Sequence, residues 1–153
     1  MEKPRRITKR KIAEIQLLRA VILLEDENDA ISALTLAGAA EEILGKMAQQ
    51  KGHSTAFDDW AVYHRSFWDY AVKRANEEGR TITAPDDKTL KRKINSTRNE
   101  LKHNDRGKNV RVEAMFNYDA EDMLLRALRN YLKLYDRLPR QQRVANWWEN
   151  MTL

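Results

Sequence analysis

Arg98-Asn99-Glu100-Leu101-Lys102-His103 sets a permanent cation, a carboxamide and a titratable imidazole within one short run. These residue types suit phosphate chemistry. The Arg98 guanidinium can hold a phosphate or stabilise charge developing on it. The His103 imidazole, with a reference pKa of roughly 6.5, can move a proton near neutral pH. Asn99 is placed to orient either the imidazole or a substrate.

Helical geometry restricts what one copy of the run can do. Residues five apart lie about 140° apart around an ideal α-helix, so Arg98 and His103 do not share a narrow face, whereas Asn99 and His103, four apart, do. Arg98 and His103 converge if the helix loosens near His103, or if a second copy of the helix lies beside the first. The second route makes a symmetric dimer the natural expectation. Composition alone supplies roughly one Arg-to-His pair at such a spacing in an arginine-rich chain, so the Asn directly after the Arg carries more weight than the spacing. Arg129-Asn130 repeats that dipeptide with no His downstream.

The run resembles the Arg-Asn-x-x-x-His signature of the HEPN superfamily, the nucleotide-binding helical bundles of higher eukaryotes and prokaryotes, with Arg98, Asn99 and His103 at the signature positions. The resemblance covers the motif and, more loosely, the helical pattern around it. It implies a homodimeric, metal-independent endoribonuclease whose site lies where two copies of the motif meet. It also implies RNA as substrate, no cofactor and no metal, a toxin or host-defence setting, and an antitoxin-like protein partner. Some members of the superfamily lack nuclease activity.

The chain has 153 residues, no cysteine, and a net charge of +5. That length suits a single domain, 1–153, in which 1–6 form a basic extension and 140–153 an accessory helix. Few Gly and Pro residues and a high charged fraction favour an all-α protein. Three dispersed histidines and no thiols offer no zinc-like spacing. Glu14, Gln16 and Arg19 interrupt the apolar stretch a signal peptide would need, and no apolar run approaches the ~20 residues of a membrane span, so a cytoplasmic protein with no membrane partner is expected. The cations cluster at Lys3 to Lys11, Lys88 to Lys93 and Lys102 to Arg111. The last two clusters flank the motif, which makes Lys91, Arg92, Lys102, Arg106, Lys108 and Arg111 candidate phosphate contacts.

Apolar periodicity predicts an up-and-down, four-helix-type bundle with one or two accessory helices. The first helix, from about Ile7 to Glu25, is expected to bury Ile12, Ile15, Leu18 and Ile22. The second is expected to bury Ala33, Ala37, Ala40, Leu44 and Met47. The third, capped by Ser54 or Thr55, carries Phe57, Trp60, Ala61, His64, Phe67, Trp68 and Ala71 on one stripe. That stripe reads as core, with His64 a hydrogen-bonded core residue. A fourth helix, opened by Thr83 and Pro85, turns Leu90, Ile94, Thr97 and Leu101 inward, with Arg98 at the edge and Asn99 and Lys102 further out. His103 falls in its last turn, before the stop signal Asn104-Asp105-Arg106-Gly107. Residues 108–117 read as loop, with an extended piece at Val110 to Val112. Asp119 is expected to cap a fifth helix that buries Leu124, Ala127, Leu128, Tyr131, Leu134 and Leu138 and closes at Leu138-Pro139. In the tail, Trp147 and Trp148 cannot share one narrow stripe. Docking on the bundle is favoured over contact with a partner or a base.

Glu41 and Glu42 diverge by about 100° on their helix and cannot face one reacting atom as a glycosidase pair would. A salt bridge from Glu41 to an arginine such as Arg98 is the expected role. No phosphate loop, nucleophile elbow or paired-His metal motif is present. Three readings follow: a ribonuclease using Arg98, Asn99 and His103; a non-catalytic RNA- or nucleotide-binding module; and a protein-interaction bundle in which Arg98 and His103 tie helices together.

Overall fold

The computed structural model of the chain describes residues 6–102 and 112–153. Within them lie seven helices: α1 (Lys9–Glu25), α2 (Ala30–Gln50), α3 (Ala56–Glu77), α4 (Asp87–Ile94), α5 (Ser96–Lys102), α6 (Phe116–Tyr135) and α7 (Gln142–Thr152). The chain is all-α, as its periodicity predicts. No helix among the described residues is long and apolar enough to cross a membrane.

Local chemistry sets most helix starts. The Thr8 hydroxyl accepts from the Lys11 amide, Asp29 from the Ser32 amide, and Asp86 from the Thr89 amide. Thr55 and Asp58 form a reciprocal capping box at α3, which satisfies the amides of both residues. Asp119 departs from expectation. Helix α6 starts earlier, after Met115, and the Asp119 carboxylate accepts from the Thr97 hydroxyl at 2.9 Å, tying α5 to α6. Helix α6 also ends before Leu138, where Asp136 takes a left-handed conformation with φ of 52°.

The core is built by α2 between α1 and α6, with α7 laid across one end. Along α2, Ala33, Leu34, Ala37, Ala40, Leu44 and Ala48 are buried, and the small residues among them bring the flanking helices close. Helix α6 contributes Leu124, Ala127, Leu128, Tyr131 and Leu134, and α7 contributes Val144 and Trp147. Trp148 packs half-buried on the same core, so both tail tryptophans dock on their own bundle.

Helix α1 presents a different face from the one expected. Ala13, Leu17, Ala20 and Val21 are buried, while Ile15 is exposed. From Leu17 to Leu24 this helix is apolar on nearly every side, so periodicity alone selects no stripe; the closer packing allowed by Ala13 and Ala20 does.

Helix α3 departs furthest. Only Ala56, Ala61 and Ala75 are buried along it, and Phe67 is 58% exposed. Its aromatic stripe is not core. Trp60, Tyr63 and His64 pack on one another instead, with His64 edge-on to both rings. The His64 imidazole is half-buried and has no hydrogen bond among the described residues, which corrects its expected core role. Val62, Tyr63, Phe67 and Tyr70 leave an exposed apolar face on this helix.

Candidate functional site

The predicted fourth helix is two helices. The chain leaves helical geometry at Asn95 (φ −106°, ψ 11°), between α4 and α5. Asn, Ser and Thr at 95–97 all have side chains that compete for backbone hydrogen bonds, which weakens a helix there. The break lets the Asn95 carboxamide accept from Arg126 Nη1 at 3.0 Å. It also lets α5 run along α2. Leu101 packs against the core, Thr97 and Arg98 are half-buried, and Asn99 and Lys102 face solvent, which is the order the sequence predicts.

Arg98 lies across α2 at the point where that helix has no side chain. A Cβ built on Gly38 would stand 2.8 Å from Arg98 Nε and 3.1 Å from Cδ. The glycine therefore serves close approach, here of a side chain rather than of another helix. One turn along, two carboxylates receive the guanidinium: Nη2 is 2.7 Å from Glu42 Oε2 and Nη1 is 3.7 Å from Glu41 Oε2. Only 13% of the Arg98 side chain remains exposed. A guanidinium gripped at both terminal nitrogens has a fixed orientation.

The expected Glu41–Arg98 bridge is present, but Glu42 is Arg98's nearer partner and Arg126 is Glu41's. Arg126 Nη2 lies 3.2 Å from Glu41 Oε1, and Asp122 approaches the same arginine at 3.9 Å. Arg126 is 2% exposed and carries the Phe57 ring on its guanidinium. Two buried charges of opposite sign are tolerable because each is hydrogen-bonded. Sequence patterning gives no sign of this role for Arg126, which shares a helix face with Met123 and Asn130. Burial pushes the Asp122 carboxyl above its ordinary range, against the pull of Arg126.

Glu42 is the electrostatic hub of the outer part. Lys46 reaches Oε1 at 2.9 Å and Lys102 reaches Oε2 at 3.2 Å. Hydrogen bonds from Lys46 and Lys102 hold its carboxyl down at about 2, so it is a carboxylate at any physiological pH. Beside it, Lys9, Lys46, Lys102, Ile43 and Met47 line a cleft of about 400 Å³. The cluster offers oriented cations around a small basin, which can bind an anion and stabilise charge on it. The titratable groups that contact Arg98 among the described residues are Glu41 and Glu42.

The other predicted contacts divide. His103, Arg106, Lys108 and Arg111 lie outside the described residues. Lys102 joins the Arg98 cluster. Lys91 faces α3 instead, 3.9 Å from Asp58 and over the Phe57 ring, while Arg92 is exposed. Asn130, the carboxamide of the second Arg-Asn pair, is wholly buried, and its Oδ1 accepts from the Ala56 amide at 2.7 Å, fixing the start of α3. The same dipeptide thus has an architectural use at Arg129-Asn130 and an outward-facing Asn at Arg98-Asn99. Comparison of the chain with protein-family models, with curated proteins and with solved structures finds no match.

Proposed function

We propose that the chain is a metal-independent endoribonuclease of the HEPN type. In this reading the ribose 2′-hydroxyl attacks the adjacent phosphorus, its proton passes to a base, the bond to the 5′-oxygen breaks, and that oxygen leaves as a protonated alcohol. The products are a 2′,3′-cyclic phosphate and a 5′-hydroxyl. Arg98 stabilises the charge on the phosphorane-like oxygens, His103 acts as general base or acid, and Asn99 positions one of them. The observation that carries the reading is the grip of Glu41 and Glu42 on Arg98, with Gly38 clearing its path. A phosphate-stabilising guanidinium needs a pre-set orientation, and this one has it beside a lysine-lined cleft.

Pairing of two copies, with their Arg98-to-His103 runs side by side, is part of the proposal; the exposed Val62, Tyr63, Phe67 and Tyr70 of α3 are further apolar surface that a second copy can cover. Apolar surface of this kind is uncommon on a monomer.

One observation favours the runner-up, a non-catalytic RNA-binding module: Arg98 and Lys102 are both already paired with Glu42, as they would be in a structural tie. Incubation of a mixed RNA pool with the protein in EDTA separates the two. The nuclease reading expects cleavage with cyclic-phosphate ends, abolished by Arg98→Ala and by His103→Ala without loss of helical content. Intact RNA that nevertheless binds the protein assigns the binding module instead, and equal cutting by His103→Ala overturns the proposed Arg98–His103 mechanism.

A further inference from the structure

A second, larger cleft lies at the other side of α1's first turn. Thr8, Arg10 and Lys11 line it from α1, and Arg137 and Arg140 from the connection between α6 and α7, around a volume of about 590 Å³. Four cations face one carboxylate, Glu14, and that carboxylate is already engaged. The Tyr131 hydroxyl donates to it at 2.6 Å, Arg10 Nε at 2.9 Å, and Lys11 Nζ stands at 3.9 Å. Burial works against its charge, yet these hydrogen bonds prevail and hold its pKa below the ordinary carboxylate range.

The cations are also arranged. Arg10 lies over the Tyr135 ring, 4.3 Å from its centroid, and bonds through Nε, which leaves its terminal nitrogens without a protein acceptor among the described residues. Arg137 and Arg140 have no ion-pair or hydrogen-bond partner among the described residues. Guanidinium groups with open forks match phosphate oxygens in pairs. An excess of fixed positive charge in a concave site open to solvent selects a polyanion over a neutral ligand.

The two clefts flank the first turn of α1: Thr8 lines the larger, and Lys9, the next residue, lines the smaller, which also takes in Lys46, Glu42 and Lys102. We propose that the Arg10–Arg137–Arg140 cleft is a phosphate subsite for single-stranded RNA, holding backbone phosphates distant from the one at Arg98. The proposal rests on the RNA reading above and adds to it a strand path that no motif in the chain announces. The path runs from Lys102 past Lys46 and Lys9 to Arg140, so the subsite engages long strands and leaves short ones untouched.

The test is fluorescence anisotropy with 2′-O-methyl oligouridylates, which bind without being cut, at two lengths: a dinucleotide and a dodecanucleotide. Arg137→Ala/Arg140→Ala should weaken the dodecamer roughly tenfold at moderate salt and leave the dinucleotide within about twofold. The salt slope for the dodecamer should fall by about 0.7 for each phosphate that the variant no longer neutralises. Arg137→Lys/Arg140→Lys should recover part of the affinity, since charge returns without the bidentate fork. Equal dodecamer binding by wild type and the alanine variant overturns the subsite, and if Arg98→Ala still abolishes cleavage the function above stands. Wild-type protein that binds neither length overturns both. Inorganic pyrophosphate bound through Arg137 and Arg140, with no length dependence for RNA, assigns the cleft to a small free phosphate and overturns the strand path.

Discussion

Gly38→Ala tests the Arg98 site without touching a charged residue. The added methyl would stand 2.8 Å from Arg98 Nε, so the side chain must retreat to at least the 3.4 Å of ordinary contact. Its grip on Glu42 at 2.7 Å and Glu41 at 3.7 Å cannot survive that retreat unchanged. Two energies oppose each other. Replacing a helix-interior glycine by alanine stabilises by about 0.5–1 kcal/mol. Loosening one charge-assisted hydrogen bond, with its acceptor still served by Lys46 and Lys102, costs about 1 kcal/mol. The net is within about 1 kcal/mol of zero, or a shift of roughly 2–4 °C in melting temperature at this chain length. Under the proposed ribonuclease reading catalysis is less forgiving, because a misplacement approaching 1 Å in a positioned group costs up to ~100-fold. The expected result is a normal melting curve with single-turnover RNA cleavage reduced roughly ten- to a hundredfold. Cleavage at the wild-type rate would refute the role of a fixed Arg98. A fall in melting temperature beyond about 10 °C would show that the glycine is there for helix packing alone.

Arg126→Met should destabilise by about 3 kcal/mol in urea titration, since it leaves Glu41 buried with one weaker partner at 3.7 Å; a change below about 1 kcal/mol would contradict the buried pairing. Glu42 titrates near 2 in the folded chain, below its ordinary 4.5, so the stability it confers is complete above about 4.5 and is lost as pH falls from there toward 2. Glu42→Gln should therefore flatten the drop in melting temperature over that window, and an unchanged drop would exclude Glu42 as its source. His64→Ala and Phe67→Ala should each leave the melting temperature of dilute protein within about 2 °C, because neither side chain is in the core. If the proposed pairing of two copies covers the exposed face of α3, Phe67→Ala should lower the dimer fraction seen by light scattering at high concentration; an unchanged fraction would place the pairing elsewhere.

Periodicity locates α2 and α6 well because each has polar residues on one side and small or branched apolar residues on the other. It fails on α1 for want of a polar face to exclude. It fails on α3 for a different reason: a stripe of Phe57, Trp60, Phe67 and Trp68 has the spacing of a core face, and spacing does not reveal whether another helix arrives to cover it. The break at Asn95 is signalled by the run Asn-Ser-Thr but masked by the continuous stripe from Leu90 to Leu101. At the site, the Glu41–Arg98 bridge and the order of Arg98, Asn99 and Lys102 around α5 are legible from angles alone. Glu42 as the nearer partner is not, since which of two adjacent carboxylates meets a long side chain depends on helix crossing. Arg126 is hidden because an arginine inside an apolar helix face reads as an exception until its buried acid is known.

The attachment of α3, α4 and α5 to the rest of the molecule has a different character from the core itself. Helices α1, α2, α6 and α7 hold one another through aliphatic and aromatic burial. The segment between α2 and α6 is fastened mostly by polar links: Asn130 to the Ala56 amide, Lys133 to Ser54 and Asp59, Arg126 to Asn95, Asp119 to Thr97, and Glu42 to Arg98 and Lys102. The two parts therefore answer to different solvents. Acid, which neutralises the carboxylates, should loosen the excursion while the four-helix frame keeps its far-ultraviolet signal, whereas a denaturant that solvates hydrocarbon should dissolve the frame and release everything hung on it. A chain nicked after Arg80 should still sediment as one particle at neutral pH, its two fragments clasped by the frame, with the arm that carries Arg98 free to swing once the pH drops.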